Sequence, residues 1–478
     1  MLFNSIDFAI FLPVVFILYW FVTNKNLKAQ NVLIVLASYT FYGWWDWRFL
    51  SLIFFSTIID YSIGVRLARN QNETRRKTLL WTSIIVNLGF LGFFKYYNFF
   101  LDNFITAFSF FGTPINAQGL NIILPVGISF YTFQTLSYTI DVYKRKLEPT
   151  KDFIAFTAFV SFFPQLVAGP IERATNLLPQ FYKKRVFDND KAIEGIYLII
   201  WGLFKKVVIA DSCAIYTNEI FANYENMNSI SLLLGAIYFA FQIYGDFSGY
   251  SDIAIGTSKL FGIDLMTNFK FPYFSRDIAE FWRRWHISLS TWFRDYLYIP
   301  LGGSKGSKIQ SFRNIFIIFI VSGFWHGANW TFIIWGVLNA LYFIPVFLIN
   351  RNRKNLDTVA QGKTLPDFSE LTSILITFFL VVIGWIFFRA DNVTIALRYI
   401  KKLFSFDFHN AIQYLSIERY APELMILISI FIIVEWHSRE NEHPFFGKWI
   451  NLKLVLTILG IITLGIYSDV KDFIYFQF

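Results

Sequence analysis

His326 stands in the segment Val321-Ser-Gly-Phe-Trp-His-Gly-Ala-Asn-Trp330 and is the only histidine set inside a long, otherwise apolar stretch of the chain. An ionisable group at membrane depth is costly, so one that occurs there marks a site or a pathway. Imidazole titrates near neutrality, which suits it to moving a proton. Gly323 and Gly327 flank it at Gly-x-x-x-Gly spacing, which lets another backbone approach closely. The competing reading is a structural histidine that donates one hydrogen bond across helices. Trp325 and Asn329 stand beside it as candidate hydrogen-bond donors.

His286 lies 40 residues upstream, within Phe281-Trp-Arg-Arg-Trp-His-Ile-Ser-Leu-Ser-Thr-Trp-Phe-Arg-Asp295. From Asp277 to Tyr298 there is no Gly or Pro, so one helix is expected, with Ser290 on the face of His286 and Arg294 and Asp295 further along. Tryptophans and arginines mixed on one helix suit a membrane interface or the wall of a polar cavity. If this helix folds back towards His326, one imidazole could take a proton while the other orients a hydroxyl. Alone at an interface, His286 reads as structural.

Asp246, Ser248, Ser251 and Asp252 form a polar group at the expected end of an apolar span, either a binding wall or a solvated helix end. Gly302-Gly-Ser-Lys-Gly-Ser-Lys308 fails the phosphate-loop spacing and follows no strand, so it reads as an exposed basic turn. His409, His437 and His443 show no metal-ligand spacing, and no metal site is expected. The single cysteine, Cys213, excludes an intrachain disulfide and reads as a small buried residue.

The elements that must position these groups are membrane helices. Of 478 residues, 55% are hydrophobic and 16% charged, against roughly 25% charged in a soluble domain. Mean hydropathy is +0.47. Apolar runs fall near 5–23, 30–47, 49–66, 78–100, 120–142, 152–170, 192–210, 230–247, 312–333, 334–350, 370–389, 421–437 and 452–468. A crossing needs roughly 20 residues. The runs at 120–142 and 152–170 carry Pro, Gly and polar residues, as re-entrant or broken segments do. About eleven crossings in one domain, residues 1–478, are expected. The first run has no basic residue before it and reads as a retained span. Arg66, Arg69, Arg75, Arg76 and Lys77, then Lys144, Arg145, Lys146 and Lys151, mark two cytoplasmic loops and put the N-terminus outside. The net charge of +9 fits that bias and calls for no nucleic acid.

Read in order, Leu2-Phe-Asn-Ser, Ser38-Tyr-Thr-Phe-Tyr-Gly-Trp-Trp-Asp46, Ser161-Phe-Phe-Pro-Gln-Leu-Val-Ala-Gly-Pro-Ile171, Asp246-Phe-Ser-Gly-Tyr-Ser-Asp252, the His286 segment, Tyr298-Ile-Pro-Leu-Gly-Gly303 and Gly323-Phe-Trp-His-Gly-Ala328 resemble the membrane-bound O-acyltransferase (MBOAT) family. The likeness runs nearly end to end and is nearest its bacterial alginate O-acetyltransferase branch, although nothing in these motifs specifies alginate.

The resemblance implies an all-α polytopic protein of the bacterial cytoplasmic (inner) membrane. It would have about eleven transmembrane helices plus re-entrant and interfacial helices around a central funnel or tunnel. His326 matches the family's signature histidine and His286 its second polar position. The implied activity passes an acyl group, most simply acetyl, from a cytoplasmic thioester such as acetyl-CoA towards an exopolysaccharide or cell-wall glycan. No tightly bound cofactor is implied. A separate extra-cytoplasmic esterase-like acetyltransferase is the implied partner, with membrane lipid around the body. D-Alanyl transfer from a carrier protein to teichoic acid is the alternative within this chemistry, and a transporter or flippase is the alternative outside it. An alcohol needs a base, the role open to His326. The thioester oxygen needs donors, a role open to Asn329 Nδ2, Trp325 Nε1 or His286. An acyl-histidine intermediate is equally open.

Overall fold

The computed structural model describes residues 1–113, 115–409, 421–467 and 473–474, and every regular element among them is helical. Among the described residues, five helical stretches are long and apolar enough to cross a bilayer: Leu27–Arg69, Glu73–Phe110, Ser229–Leu260, Trp330–Leu348 and Phe368–Arg389. Ile6–Val22 and Ile450–Leu464 are apolar but shorter. The chain forms two compact units, Met1–Gly195 with Ala254–Met266, and Ile196–Ile253 with Thr267–Phe478.

The first unit contains α1 (Ile6–Ile17), α2 (Leu27–Asp46), α3 (Leu50–Arg69), α4 (Glu73–Leu91) and α5 (Ile128–Tyr143). Side chains of Ser5, Asn26 and Asn72 cap α1, α2 and α4 by accepting backbone N–H groups. Lipid gives apolar helices little reason to associate, so buried polar contacts do part of that job. Ser83 and Asn87 of α4 donate to Asp60 of α3 at 2.5 and 2.9 Å, and Thr139 of α5 donates at 3.1 Å. The run expected at 120–142 becomes helical only at Ile128, after Gly127 at φ +77°. The run at 152–170 breaks at Phe162 into Phe153–Ser161 and Phe163–Leu166, with Pro164 opening the second piece. Both pieces are buried, so protein surrounds the irregular backbone.

The second unit holds both histidines of interest. Its long element, α6 (Ser229–Leu260), runs well past the expected end near 247, and its residues up to Ile253 belong to this unit. Asp246 and Asp252 therefore sit within a helix, not at its end. They meet lysines: Lys206 Nζ lies 2.6 Å from Asp246 and 2.9 Å from Asp211, and Lys205 Nζ lies 2.7 Å from Asp252.

The expected helix over 277–298 is two short ones, α7 (Ile278–Arg284) and α8 (Ile287–Phe293), joined through Trp285 and His286. His286 adopts φ +44°, a left-handed conformation that costs a non-glycine residue about 1–3 kcal/mol. Segment 268–270 takes over the hydrogen bonds a continuous helix would have made: Lys270 N–H donates to Arg284 O at 2.9 Å, and Ile287 N–H to Asn268 O at 2.8 Å. Glu280 joins Arg276 and Arg284 at 3.0 and 2.8 Å, so these charges of the aromatic–basic stretch serve internal ion pairs.

The expected run at 312–333 likewise divides, into α9 (Lys308–His326) and α10 (Trp330–Leu348). Gly327 is extended and Asn329 caps α10, so His326 is the last residue of α9. Gly323 faces the Phe332 carbonyl and Gly336 the Phe319 carbonyl, and a Cβ at either position would strike backbone. α11 (Phe368–Arg389) brings Trp385 against Trp335 of α10, with rings 5.7 Å apart and stacked, and against Trp285 at 5.0 Å.

Candidate active site

Two chain breaks bring the histidines together. The end of α9 delivers His326, and the kink before α8 delivers His286, with ring centres 6.4 Å apart and planes at 57°. Both are buried, at 3% and 1% exposure.

The walls are aromatic. His326 meets Trp335 edge-on at 5.2 Å, Phe388 of α11 at 5.3 Å and Trp325 at 5.0 Å. His286 meets Phe247 of α6 at 4.6 Å and Trp325 at 6.0 Å. Apolar walls exclude water and strengthen every charge interaction made inside them. Burial also lowers the pKa of His286 to about 3, so its ring is neutral at physiological pH.

Polar contacts fix His286 from one side. Asn268 Oδ1 lies 3.1 Å from His286 Nδ1 and accepts from the Ser288 hydroxyl at 2.8 Å. Asn268 Nδ2 donates to Ser251 Oγ at 3.0 Å, which ties the cluster to α6. Nothing in the linear sequence marks Asn268, because it sits in an irregular segment 18 residues from the histidine it touches. Ser251 was visible only as part of the polar run on α6.

The other singled-out residues scatter. Trp325 belongs to the cluster. Asn329 does not act there as a donor: its Oδ1 caps Thr331 N–H at 3.1 Å and its Nδ2 donates to Asp391 O at 2.8 Å. Asp246 is held by Lys206 and accepts Ile474 N–H at 2.8 Å. Ser290 does not share a helical face with His286, because the histidine precedes α8 as its N-cap. Its hydroxyl donates to Trp285 O at 3.3 Å. Arg294 and Asp295 pair with each other at 2.7 Å.

Ser290 and Arg294 line a cavity of about 510 Å³ together with Trp282, Tyr298, Phe319 and Ser322. Ser322 precedes His326 by four residues on α9, or about 6 Å along the axis. The cavity is apolar towards α9 and carries Arg294 and Arg353 elsewhere on its wall. The basic turn after α8 lies outside it apart from Ser304, and Asn314 pins its start by donating to Gly303 O at 3.0 Å.

The family described as "MBOAT, membrane-bound O-acyltransferase family" matches residues 147–365, a range containing both histidines. A Pseudomonas aeruginosa protein named "Probable alginate O-acetylase AlgI" is 42% identical over 408 residues, covering 85% of this chain and 75% of that protein. A Helicobacter pylori "Peptidoglycan O-acetyltransferase" is 34% identical over 527 residues, covering 100% and 98%. A Streptococcus thermophilus "Teichoic acid D-alanyltransferase" is 30% identical over 285 residues, covering 55% and 68%. With its apolar helices and buried histidine pair, the chain belongs to the membrane-bound O-acyltransferase family and is a multi-pass membrane O-acyltransferase.

Proposed function

We propose that this protein passes an acetyl group from a cytoplasmic acyl thioester, acetyl-CoA in the simplest case, to a hydroxyl destined for an exopolysaccharide or cell-wall glycan. The observation that carries the reading is the pair of imidazoles 6.4 Å apart, buried among aromatic rings and one helical turn from a cavity with a basic wall. His326 is the general base. It takes the hydroxyl proton as oxygen attacks the thioester carbonyl. The C–O bond forms, the C–S bond breaks, and the proton passes to the departing thiolate. The cavity would admit the donor, with Arg294 and Arg353 meeting its anionic end.

In this reading the body crosses the bacterial inner membrane about eleven times around a tunnel, and the N-terminus faces outward. A separate extra-cytoplasmic acetyltransferase completes delivery to polymer. The relatives named for alginate and peptidoglycan support a glycan acceptor. Replacing His326 by Ala abolishes polymer acetylation while the protein remains inserted and abundant. Near-normal acetylation in that variant would overturn the assignment.

D-Alanyl transfer is the second reading, favoured by the relatives named for teichoic acid. Supplying purified protein with radiolabelled acetyl-CoA or with a D-alanyl carrier protein, and following label to acceptor, separates the two. A transporter would move no label covalently from either donor.

A further inference from the structure

Asn268 packs against the ring of His286, with Oδ1 3.1 Å from Nδ1. The asparagine is fully buried. Its Oδ1 faces the Ser288 backbone N–H at 3.2 Å, the Ser288 hydroxyl at 2.8 Å and His286 Nδ1 at 3.1 Å. A backbone N–H only donates, so the side-chain atom it meets is the carbonyl oxygen, which decides the orientation of the amide. Nδ2 then points to Ser251 Oγ at 3.0 Å, a competent acceptor. The Ser288 hydroxyl also lies 3.4 Å from Nδ1, but its hydrogen goes to Asn268 Oδ1, so both oxygens facing Nδ1 are acceptors and Nδ1 of His286 carries the ring hydrogen. The neutral ring then holds its lone pair on Nε2.

The backbone adds to the restraint. Ile287 N–H donates to Asn268 O at 2.8 Å, so one residue holds both the left-handed turn at His286 and the ring it presents. Neutral imidazoles elsewhere are oriented in the same way, by a partner on the nitrogen away from the chemistry.

We propose that Asn268 is a positioning residue that locks His286 in its Nδ1–H tautomer, so that His286 meets substrate as a hydrogen-bond acceptor through Nε2 and not as an oxyanion donor. The proposal rests on the acyl-transfer reading in placing substrate at His286. Nε2 accepts a hydrogen bond that orients the acceptor substrate while His326 takes the proton of the attacking hydroxyl, and the charge developing on the thioester oxygen falls to donors other than His286.

The test uses full-length protein purified in lipid nanodiscs. Nitrogen-15 NMR of histidine-labelled protein, assigned by loss of signal in His286→Gln, reads the tautomer directly. Wild type should show a protonated Nδ1 and a bare Nε2. Asn268→Asp keeps the acceptor oxygen, so it should retain the tautomer and near-normal turnover at neutral pH. Its acidic limb should move to higher pH, because a carboxylate favours the imidazolium and an imidazolium cannot accept. Asn268→Leu should lower kcat about 10- to 100-fold with KM little changed, and its spectrum should show both tautomers.

A wild-type spectrum with Nε2 protonated overturns the proposal. So does an Asn268→Leu variant with wild-type kcat, or an Asn268→Asp variant with an unmoved acidic limb. If Asn268→Leu does not fold, the wild-type spectrum and Asn268→Asp decide. The tautomer is read without turnover, so failure of the acyl-transfer reading, seen in an active His326→Ala protein, is distinguishable from failure of this one.

Discussion

At the scale of single residues, the candidate site sets the histidine cluster beside groups whose hydrogen bonds and ion pairs serve the fold. Asn329 is one of the latter. Replacing it by Ala removes the α10 cap and costs about 0.5–2 kcal/mol, read as a lower Tm. Activity per folded molecule should be unchanged, whereas loss of kcat at full stability would return Asn329 to the chemistry. Asp246 is another. Asp246→Leu strands Lys206 with one carboxylate in place of two and should cost about 3–5 kcal/mol, seen as loss of folded protein and not as a raised KM. His286 imposes a pH dependence. Its pKa is about 3 in the folded state, below the ordinary 6.5, so the unfolded chain binds more protons between those values. Stability is therefore full above about 6.5 and falls as pH drops towards 3. Thermal melts of wild type should follow that course, with a smaller acid-side loss in His286→Gln. His326, His286 and Trp325 were legible because lipid makes a buried imidazole expensive and their motifs are dense. Asn268 was not, because an asparagine in an irregular segment gains its meaning only from what folds against it.

At the scale of elements, local patterning read helices well and their interruptions poorly. Pro and Gly announced the breaks in 120–142 and 152–170. Nothing announced the kink at His286, which lies in a stretch free of both. Tertiary hydrogen bonds from 268–270 impose it, and such bonds are invisible to helical periodicity. The α9–α10 turn was half legible. The Gly-x-x-x-Gly spacing marks Gly323 as a place of close approach, but its counterpart Gly336 carries no such signal, and Gly327 serves the turn instead of the helix face. A side chain at Gly336 would strike the Phe319 carbonyl, which cannot move without unwinding α9. Gly336→Val should therefore leave little folded enzyme. Gly89, inside α4, has open space around it. Gly89→Ala should be neutral or stabilising by about 0.5–1 kcal/mol. Equal Tm values for the two variants would show that the α9–α10 contact is looser than described.

At the scale of the whole molecule, composition foretold a lipid-solvated body, and the apolar helices agree with it. The sidedness of that body follows from charge. Their basic residues place the loops at 66–77 and 144–151 on one side, and the structure of the first unit joins them. Arg76 donates to Leu67 O at the end of α3 and to Tyr143 O at the end of α5, both at 2.5–2.7 Å, and Arg145 reaches Glu73 at 3.5 Å. In the orientation proposed above, the positive-inside bias makes that shared side cytoplasmic. α3, about 30 Å long, then carries the chain from an outer loop at Arg48 to an inner one near Arg75. The lone Cys213 is fully buried, so single-cysteine labelling has little background. In intact spheroplasts, Arg48→Cys should react with a membrane-impermeant maleimide. Arg75→Cys should react only after permeabilisation. The opposite pattern would invert the protein and put the donor's thioester chemistry on the wrong face, and equal labelling of both before permeabilisation would mean that α3 does not cross the membrane.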